Sequence, residues 1–163
     1  MGLALKDKDD NIRGMALRIA RQHKLDVIPE IRELADDKSA LVRRECLIAL
    51  RHHQSDEAPA LWAKLADAHD GKDRWYLEAL GLAADKQENK FFDAWVKSAK
   101  LGTVAANDIV WRNRGTHGTK YLTDIILSKK TTEAEKPHYL RALDFIPKSK
   151  EKDDALARIA LGL

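Results

Sequence analysis

Apolar residues recur at helical spacing along almost the whole chain, and this limits what it can fold into. Ile12, Met15-Ala16 and Ile19-Ala20 form one stripe, and Val27-Ile28, Ile31 and Leu34-Ala35 the next. Leu41-Val42, Cys46-Leu47 and Leu50 follow, then Leu61-Trp62 and Leu65-Ala66, then Tyr76-Leu77, Leu80 and Ala83-Ala84. Phe91-Phe92, Trp95-Val96 and Ala99 come next, then Tyr121-Leu122 and Ile125-Ile126. Tyr139-Leu140, Leu143 and Ile146, and finally Leu156 and Ile159-Ala160, complete the series. Most stripes last about two to three turns, the length of an ordinary globular helix. No stretch of any length alternates with period two. Gly and Pro number only 8 and 4, and aromatics are 6%, which argues against a turn-rich sandwich or barrel. The chain reads as all-α.

The connections are short and polar: Gln22-His23-Lys24, Asp36-Asp37-Lys38, His53-Gln54-Ser55, Asp70-Gly71-Lys72 and Gly115-Thr116-His117-Gly118. Ser39 and Asp56 stand where they can cap the helices that follow, and Thr132-Glu133-Ala134-Glu135 has the form of a capping box. Pro29 and Pro59 fall near helix starts, where a missing N–H is tolerated, and Pro147 falls where a helix ends. The pattern is a run of helical hairpins.

Shifting the chain by about 30 residues lays Asp7-Lys8 on Asp37-Lys38, Ile12-Arg13 on Val42-Arg43, and Ala16-Leu17 on Cys46-Leu47. About twice that shift lays Trp75-Tyr76-Leu77-Glu78-Ala79-Leu80 on His138-Tyr139-Leu140-Arg141-Ala142-Leu143. Two helices every ~30–35 residues, with Asp before and Arg inside the first, resembles HEAT-like repeats. The expected fold is a right-handed α-solenoid of four to five hairpins, at about 9–37, 38–69, 71–101, 104–129 and 131–162. One hairpin cannot bury both of its stripes, whereas stacked neighbours bury them in a continuous core. Small residues such as Ala20, Ala49, Ala79 and Ala83 allow close helix approach. The Asp7-to-Arg13 and Asp37-to-Arg43 spacing reads as a device that ties successive repeats by charge-assisted hydrogen bonds. Leu3-Ala4-Leu5 looks like the end of a second helix, and Ile159-Ala160-Leu161-Gly162-Leu163 stops on apolar residues. Solenoid termini need polar caps, so residues 1–163 read as one repeat domain from a longer protein, with Met1-Gly2 left from cloning.

Catalysis has no visible seat in the sequence. No GxGxxG, Walker loop, GxSxG or paired-carboxylate signature is present, and Gly115-Thr116-His117-Gly118 reads as a turn because no strand precedes it. The histidines form no His-x-x-x-His or HExxH pair, so His52-His53 with Asp56, and Asp67 with His69, read as solvated groups rather than metal ligands. The single Cys46, on an apolar stripe, excludes an intrachain disulfide and reads as a buried structural thiol. No cofactor or metal is expected. No apolar run approaches the ~18 residues of a membrane span, and no signal-peptide pattern opens the chain.

Aromatics and arginines carry the functional signal. Trp75-Tyr76, Trp95, Trp111 and Tyr139 gather in the second half, with Arg74, Arg112, Arg114 and Arg141 near them. Trp, Tyr and Arg anchor protein interfaces, while Tyr76, Trp95 and Tyr139 also suit an inter-repeat core. The interface residues expected are Trp75, Trp111, Arg112, Arg114 and Arg141, and Trp111→Ala is expected to weaken docking at little cost in stability. Net charge is +3 from 29 basic and 26 acidic residues. Lys129-Lys130, Lys136, Lys148, Lys150 and Lys152 alternate with Glu133, Glu135, Glu151, Asp153 and Asp154, the habit of a solvated surface rather than a nucleic-acid stripe.

The segment Gly71-Lys72-Asp73-Arg74-Trp75-Tyr76-Leu77-Glu78-Ala79-Leu80-Gly81, with Phe91-Phe92-Asp93-Ala94-Trp95 and Asn107-Asp108-Ile109-Val110-Trp111-Arg112-Asn113-Arg114, resembles the HEAT-repeat region of a family of large bacterial proteins. These are the secreted, dehydrogenase-like, haem-binding proteins of planctomycetes, verrucomicrobia and some Bacteroidetes. The resemblance spans about residues 5–146 and is most distinctive over 71–114. It implies a sugar-dehydrogenase-like propeller before the repeats and a CxxCH cytochrome domain after them. Neither is present here, so no catalytic or haem-binding residue carries over. What it implies is a spacer or docking scaffold between redox domains, working in the periplasm or envelope; the chain itself reads as a non-catalytic monomer that docks proteins or neighbouring domains. The competing reading is a nucleic-acid-binding enzyme: HEAT-like alkylpurine DNA glycosylases use aromatics, a carboxylate and basic residues, and Trp111, Asp108 and Arg112 would fill those roles. Their spacing reproduces no such motif, and +3 is a weak charge for gripping DNA.

Overall fold

A computed structural model describes residues 2–162. The reading of Met1 as a cloning remnant and the final apolar Leu163 fall outside it. Among the described residues the protein is all-helical, with no strand. Eleven α-helices follow one another: α1 (Gly2–Leu5), α2 (Asp10–Gln22), α3 (Ile28–Leu34), α4 (Ala40–Leu50), α5 (Ala58–Asp67), α6 (Arg74–Ala83), α7 (Glu88–Trp95), α8 (Val104–Arg112), α9 (Thr119–Leu127), α10 (Lys136–Leu140) and α11 (Lys150–Leu161). Short 3-10 segments, Thr116–Gly118 and Arg141–Phe145, precede α9 and follow α10.

Local chemistry fixes where these helices begin. The side chains of Asp9, Asp73, Thr103 and Ser149 accept hydrogen bonds from the backbone N–H groups of Asn11, Tyr76, Ala106 and Lys152, satisfying donors that a helix start leaves orphaned. Proline sits in the first turn of α3, α5 and α10. Ser39 precedes α4 but makes no cap bond; its hydroxyl donates instead to Asp10 on α2 at 2.6 Å. Asp56 makes no cap either, because α5 starts after Glu57. Only half of the expected capping box forms: the Glu135 carboxylate accepts from the Thr132 N–H and hydroxyl. After α2, Lys24 takes a left-handed conformation (φ 57°) and the Leu25 N–H reaches the Ala20 carbonyl, closing the end as a Schellman motif does.

Alternate helices lie side by side: α2 packs on α4, α4 on α6 and α6 on α8, while α3 packs on α5 and α5 on α7. The buried apolar residues join in one continuous core from Leu5 to Ile146, centred on Leu17, Ile31, Leu47, Leu65, Leu80, Phe91, Phe92 and Trp95. Gly14 lets α4 come close to α2, since a Cβ there would meet Leu41 Cδ2 at 2.9 Å. Cys46 is wholly buried in this core, and burial pushes its thiol pKa up to about 12.

The inward face of α2 departs from the expected stripe. Ile12, Met15 and Ile19 are all more than two-fifths exposed, whereas Ala16 and Ala20 of the expected stripe are buried, joined on the inward side by Arg13 and Leu17. The helix is turned by about one residue because the Arg13 guanidinium is drawn inside to the Asp37 carboxylate. In the same way Ala155, not Leu156, is the buried residue of α11. The stripe at 139–146 breaks where α10 gives way to a 3-10 segment, leaving Leu140 and Phe145 exposed while Leu143 and Ile146 are buried.

Candidate docking surface

The five residues singled out in the sequence all lie on or after α6, and the structure separates them. Trp75 projects from the first turn of α6 with 73% of its surface exposed. Arg141 is also exposed, and its side chain makes no hydrogen bond or ion pair among the described residues. Trp111, Arg112 and Arg114, by contrast, are partly buried in one cluster at the end of α8.

Trp111 is the hub of that cluster. Its ring stacks on the His138 imidazole with centroids 4.4 Å apart, and its Nε1–H donates to the His138 carbonyl at 3.0 Å. The guanidinium groups of Arg74 and Arg114 lie 5.5 and 5.7 Å from the same ring, within cation–π range. Arg114 also covers Phe145 at 4.8 Å and donates to the Trp111 carbonyl at 2.8 Å, closing the end of α8. Burial, and secondarily the charge of Arg112, pushes the Arg114 pKa down to about 10.

Arg112 turns the other way, towards α6. Its Nε donates to Glu78 Oε2 at 2.9 Å, while Arg74 Nε donates to Glu78 Oε1 at 2.8 Å. Burial alone would raise the Glu78 pKa, but hydrogen bonds and charge from Arg112, then Arg74, outweigh it and hold the carboxyl below its usual range. The guanidinium of Arg112 has room because residue 81 is glycine; a Cβ there would collide with it.

Between α6, α8 and α10 a groove of about 190 Å³ opens, lined among others by His69, Lys72, Arg74, Asp108, Trp111 and His138. The tight turn into α6 forms one lip: Asp70 accepts from the backbone N–H groups of Lys72 and Asp73 at 2.8 and 3.1 Å, and Gly71 between them has φ 74°. His69 is buried and stacks parallel to Tyr76, with its Nε2 3.3 Å from Asp108 Oδ2 and its Nδ1 without a partner. The aromatics read as suiting a core divide: Tyr76 and Trp95 are buried and Tyr139 is partly buried. The Tyr76 hydroxyl donates to the Leu65 carbonyl at 2.8 Å, and Trp95 Nε1–H to Asp67 Oδ1 at 3.1 Å.

Sequence reasoning missed the His69–Asp108 pair and the part played by Glu78. His69 and Asp108 stand 39 positions apart, so no local spacing announces them. The Arg74-to-Glu78 step of four along a helix is a signal that was there to be read. Among the described residues no group of three or more His, Cys, Asp or Glu is placed to hold a metal ion, and no helix is long and apolar enough to cross a membrane. His52 instead faces Asp85 beside Arg51, and Asp67 is taken by Trp95. Comparison with protein-family models, with curated proteins and with solved structures finds no match to this chain.

Proposed function

We propose that the chain is a HEAT-like α-solenoid acting as a non-catalytic docking scaffold for proteins or neighbouring domains. Its parent would be a large envelope protein of the dehydrogenase-like, haem-binding kind. The solenoid reading is supported by a recurring bond set. Arg13 Nη1 donates to the Asp7 carbonyl and Arg43 Nη1 to the Asp37 carbonyl; the Asp9 N–H bonds Asp7 Oδ1 and the Ser39 N–H bonds Asp37 Oδ1. Each of the five expected windows also holds two helical elements, when each 3-10 segment is counted with the α-helix it adjoins. Repeats that stack this way display one rigid surface built from many units.

The observation that carries the docking reading is Trp75. A tryptophan left 73% exposed, on a capped helix and beside an arginine, is the type of residue that anchors protein interfaces. Site-specific photo-crosslinking in the full-length parent tests it. A photoreactive residue at position 75 should capture one defined segment of protein, whereas the same residue at exposed Lys64 on α5 should capture none. Equal capture from both positions, or none from position 75, would refute the scaffold reading.

A further inference from the structure

Successive helices of the α2–α4–α6–α8 layer do not all meet alike. α2 lies close along α4, and α4 along α6, whereas α6 and α8 meet less closely. Two cavities open between that last pair. One is the groove of about 190 Å³ beside Leu77, Asp108 and Trp111. The other, about 20 Å³ and so large enough for one water, lies beside Leu77, Gly81, Ile109 and Arg112. The two helices touch at their ends. The turn before α6 rests on the first turn of α8, where a Cβ on Gly71 would meet the Val104 side chain and the Ala105 nitrogen at 3.2 Å. His69, two residues earlier, faces Asp108. At the far end Arg112 reaches back from the last turn of α8 to Glu78, its guanidinium laid over Gly81 of α6. The connection from α7 into α8 contains Gly102, with φ 83° and open space where a Cβ would stand, a residue free to absorb backbone rotation.

We infer that the α6–α8 contact is a hinged joint, pivoting where Gly71 meets Val104 and Ala105 and latched at its far end by the Glu78–Arg112 pair over Gly81. With the latch made, α1–α7 and α8–α11 hold one arrangement. With it broken, the two parts swing about the pivot and the groove changes width. Close-packed side chains resist such motion elsewhere, but cavities forfeit those contacts, so a charge-assisted bond carries more of the restraint here. The α2–α4 contact is built differently, with a buried arginine–carboxylate pair and a glycine that brings the helices together. On the other layer α5 packs on α7, and α7 on the 3-10 turn before α9, which keeps the parts joined while α6 and α8 separate. Hinges of this kind are a few loop or element-terminal residues, and Gly71 and Gly102 stand in such places. The inference concerns the fold and stands whatever docks at Trp75.

Distances between pairs of nitroxide labels, measured by pulsed electron resonance, test the joint. Labels on Arg21→Cys and Lys130→Cys span it, while labels on Arg21→Cys and Lys86→Cys stay on one side; all three positions are exposed. Cys46 is wholly buried and takes no label. Glu78→Gln and Arg112→Gln should each broaden the spanning distance distribution at least about twofold, as release of a hinge does. The one-sided distribution should stay as it was. Gly81→Ala should act in the same direction, because its methyl group displaces the Arg112 guanidinium. A cooperative thermal transition checks that each variant is folded; Glu78→Gln, which hardly alters side-chain volume, decides the matter if Gly81→Ala does not fold. A spanning distribution that Glu78→Gln and Arg112→Gln leave unchanged would overturn the inference. Equal broadening of both label pairs would overturn it too, since the whole fold would then have loosened rather than one joint. Neither result bears on capture at position 75.

Discussion

The Arg13 guanidinium grips the Asp37 carboxylate by two parallel hydrogen bonds, Nε to Oδ2 at 2.6 Å and Nη2 to Oδ1 at 2.8 Å, with both side chains more than nine-tenths buried. The same arginine donates to the carbonyls of Asp7 and Lys8, so one residue links the turn before α2 to the turn before α4. The Arg13 hydrogen bond holds the Asp37 pKa below the usual range. A carboxylate with a depressed native pKa stabilises the fold fully above its unfolded value, about 3.9. That contribution is lost as pH falls through the lower native value. Acid titration of the thermal transition should therefore show a loss below about pH 4 that is smaller in Asp37→Asn. Asp37→Ala should cost about 2 kcal/mol at neutral pH, because it leaves a charged group without its partner; an unchanged Tm would show the pair to be inert.

Much of the helical layout is legible in sequence because a stripe of apolar residues at helical spacing has only one economical use. What is not legible is which way a stripe faces when two faces are nearly equal. Within the one stripe Ile12, Met15 and Ile19 outweigh Ala16 and Ala20 in bulk, yet the alanines are the buried members, with Leu17 and with Arg13, whose partner stands 24 positions away. At the candidate surface, the neighbourhood of Trp111 with Arg112 and Arg114 could be read directly. That Arg114 turns back onto the Trp111 ring while Arg112 leaves for Glu78 depends on α6, and so on tertiary packing.

The rotation of α2 leaves a testable surface. Ile12, Met15 and Ile19 retain 44%, 48% and 44% of their exposure. Changing Met15 or Ile19 to Glu should shift stability by no more than about 0.5 kcal/mol, measured by urea denaturation, and should lower self-association at high concentration. A loss of several kcal/mol would place these side chains inside.

Cys46 supplies a probe of global opening. It is wholly buried, and its thiol pKa is pushed to about 12, so almost no thiolate exists at pH 8 and a reagent has no path to it. Labelling by an aromatic disulfide should be slow in buffer, should accelerate with urea in step with unfolding, and should be unaffected by Trp75→Ala. Rapid labelling of the native protein would show that the core opens locally at α4.

Lys86 holds a left-handed conformation, φ 65°, in the turn between α6 and α7. A side chain there costs roughly 1–2 kcal/mol, part of which glycine gives back through its freer unfolded chain. Lys86→Gly should therefore raise stability by about 0.5–1 kcal/mol, while Lys86→Pro, whose ring forbids positive φ, should destabilise. A Lys86→Gly protein that melts earlier would show that the lysine side chain contributes more than its backbone strain.

Trp75 and Trp111 should separate docking from stability. Trp75 meets mostly solvent, so Trp75→Ala should change the unfolding free energy by less than about 0.5 kcal/mol and should abolish capture by a photoreactive residue placed instead at exposed Lys72, in the turn before α6. Trp111 differs from the expectation that its loss costs little. Its ring is stacked on His138, flanked by Arg74 and Arg114, and bonded to a backbone carbonyl. Trp111→Ala should therefore cost about 2 kcal/mol or more, below the 3–5 kcal/mol of a fully buried tryptophan because the ring is only partly covered. Trp111→Phe should recover part of that loss, keeping the stack but not the Nε1 bond. If Trp75→Ala destabilises as much as Trp111→Ala, the exposed tryptophan is a packing residue and the docking surface must be sought elsewhere on the protein.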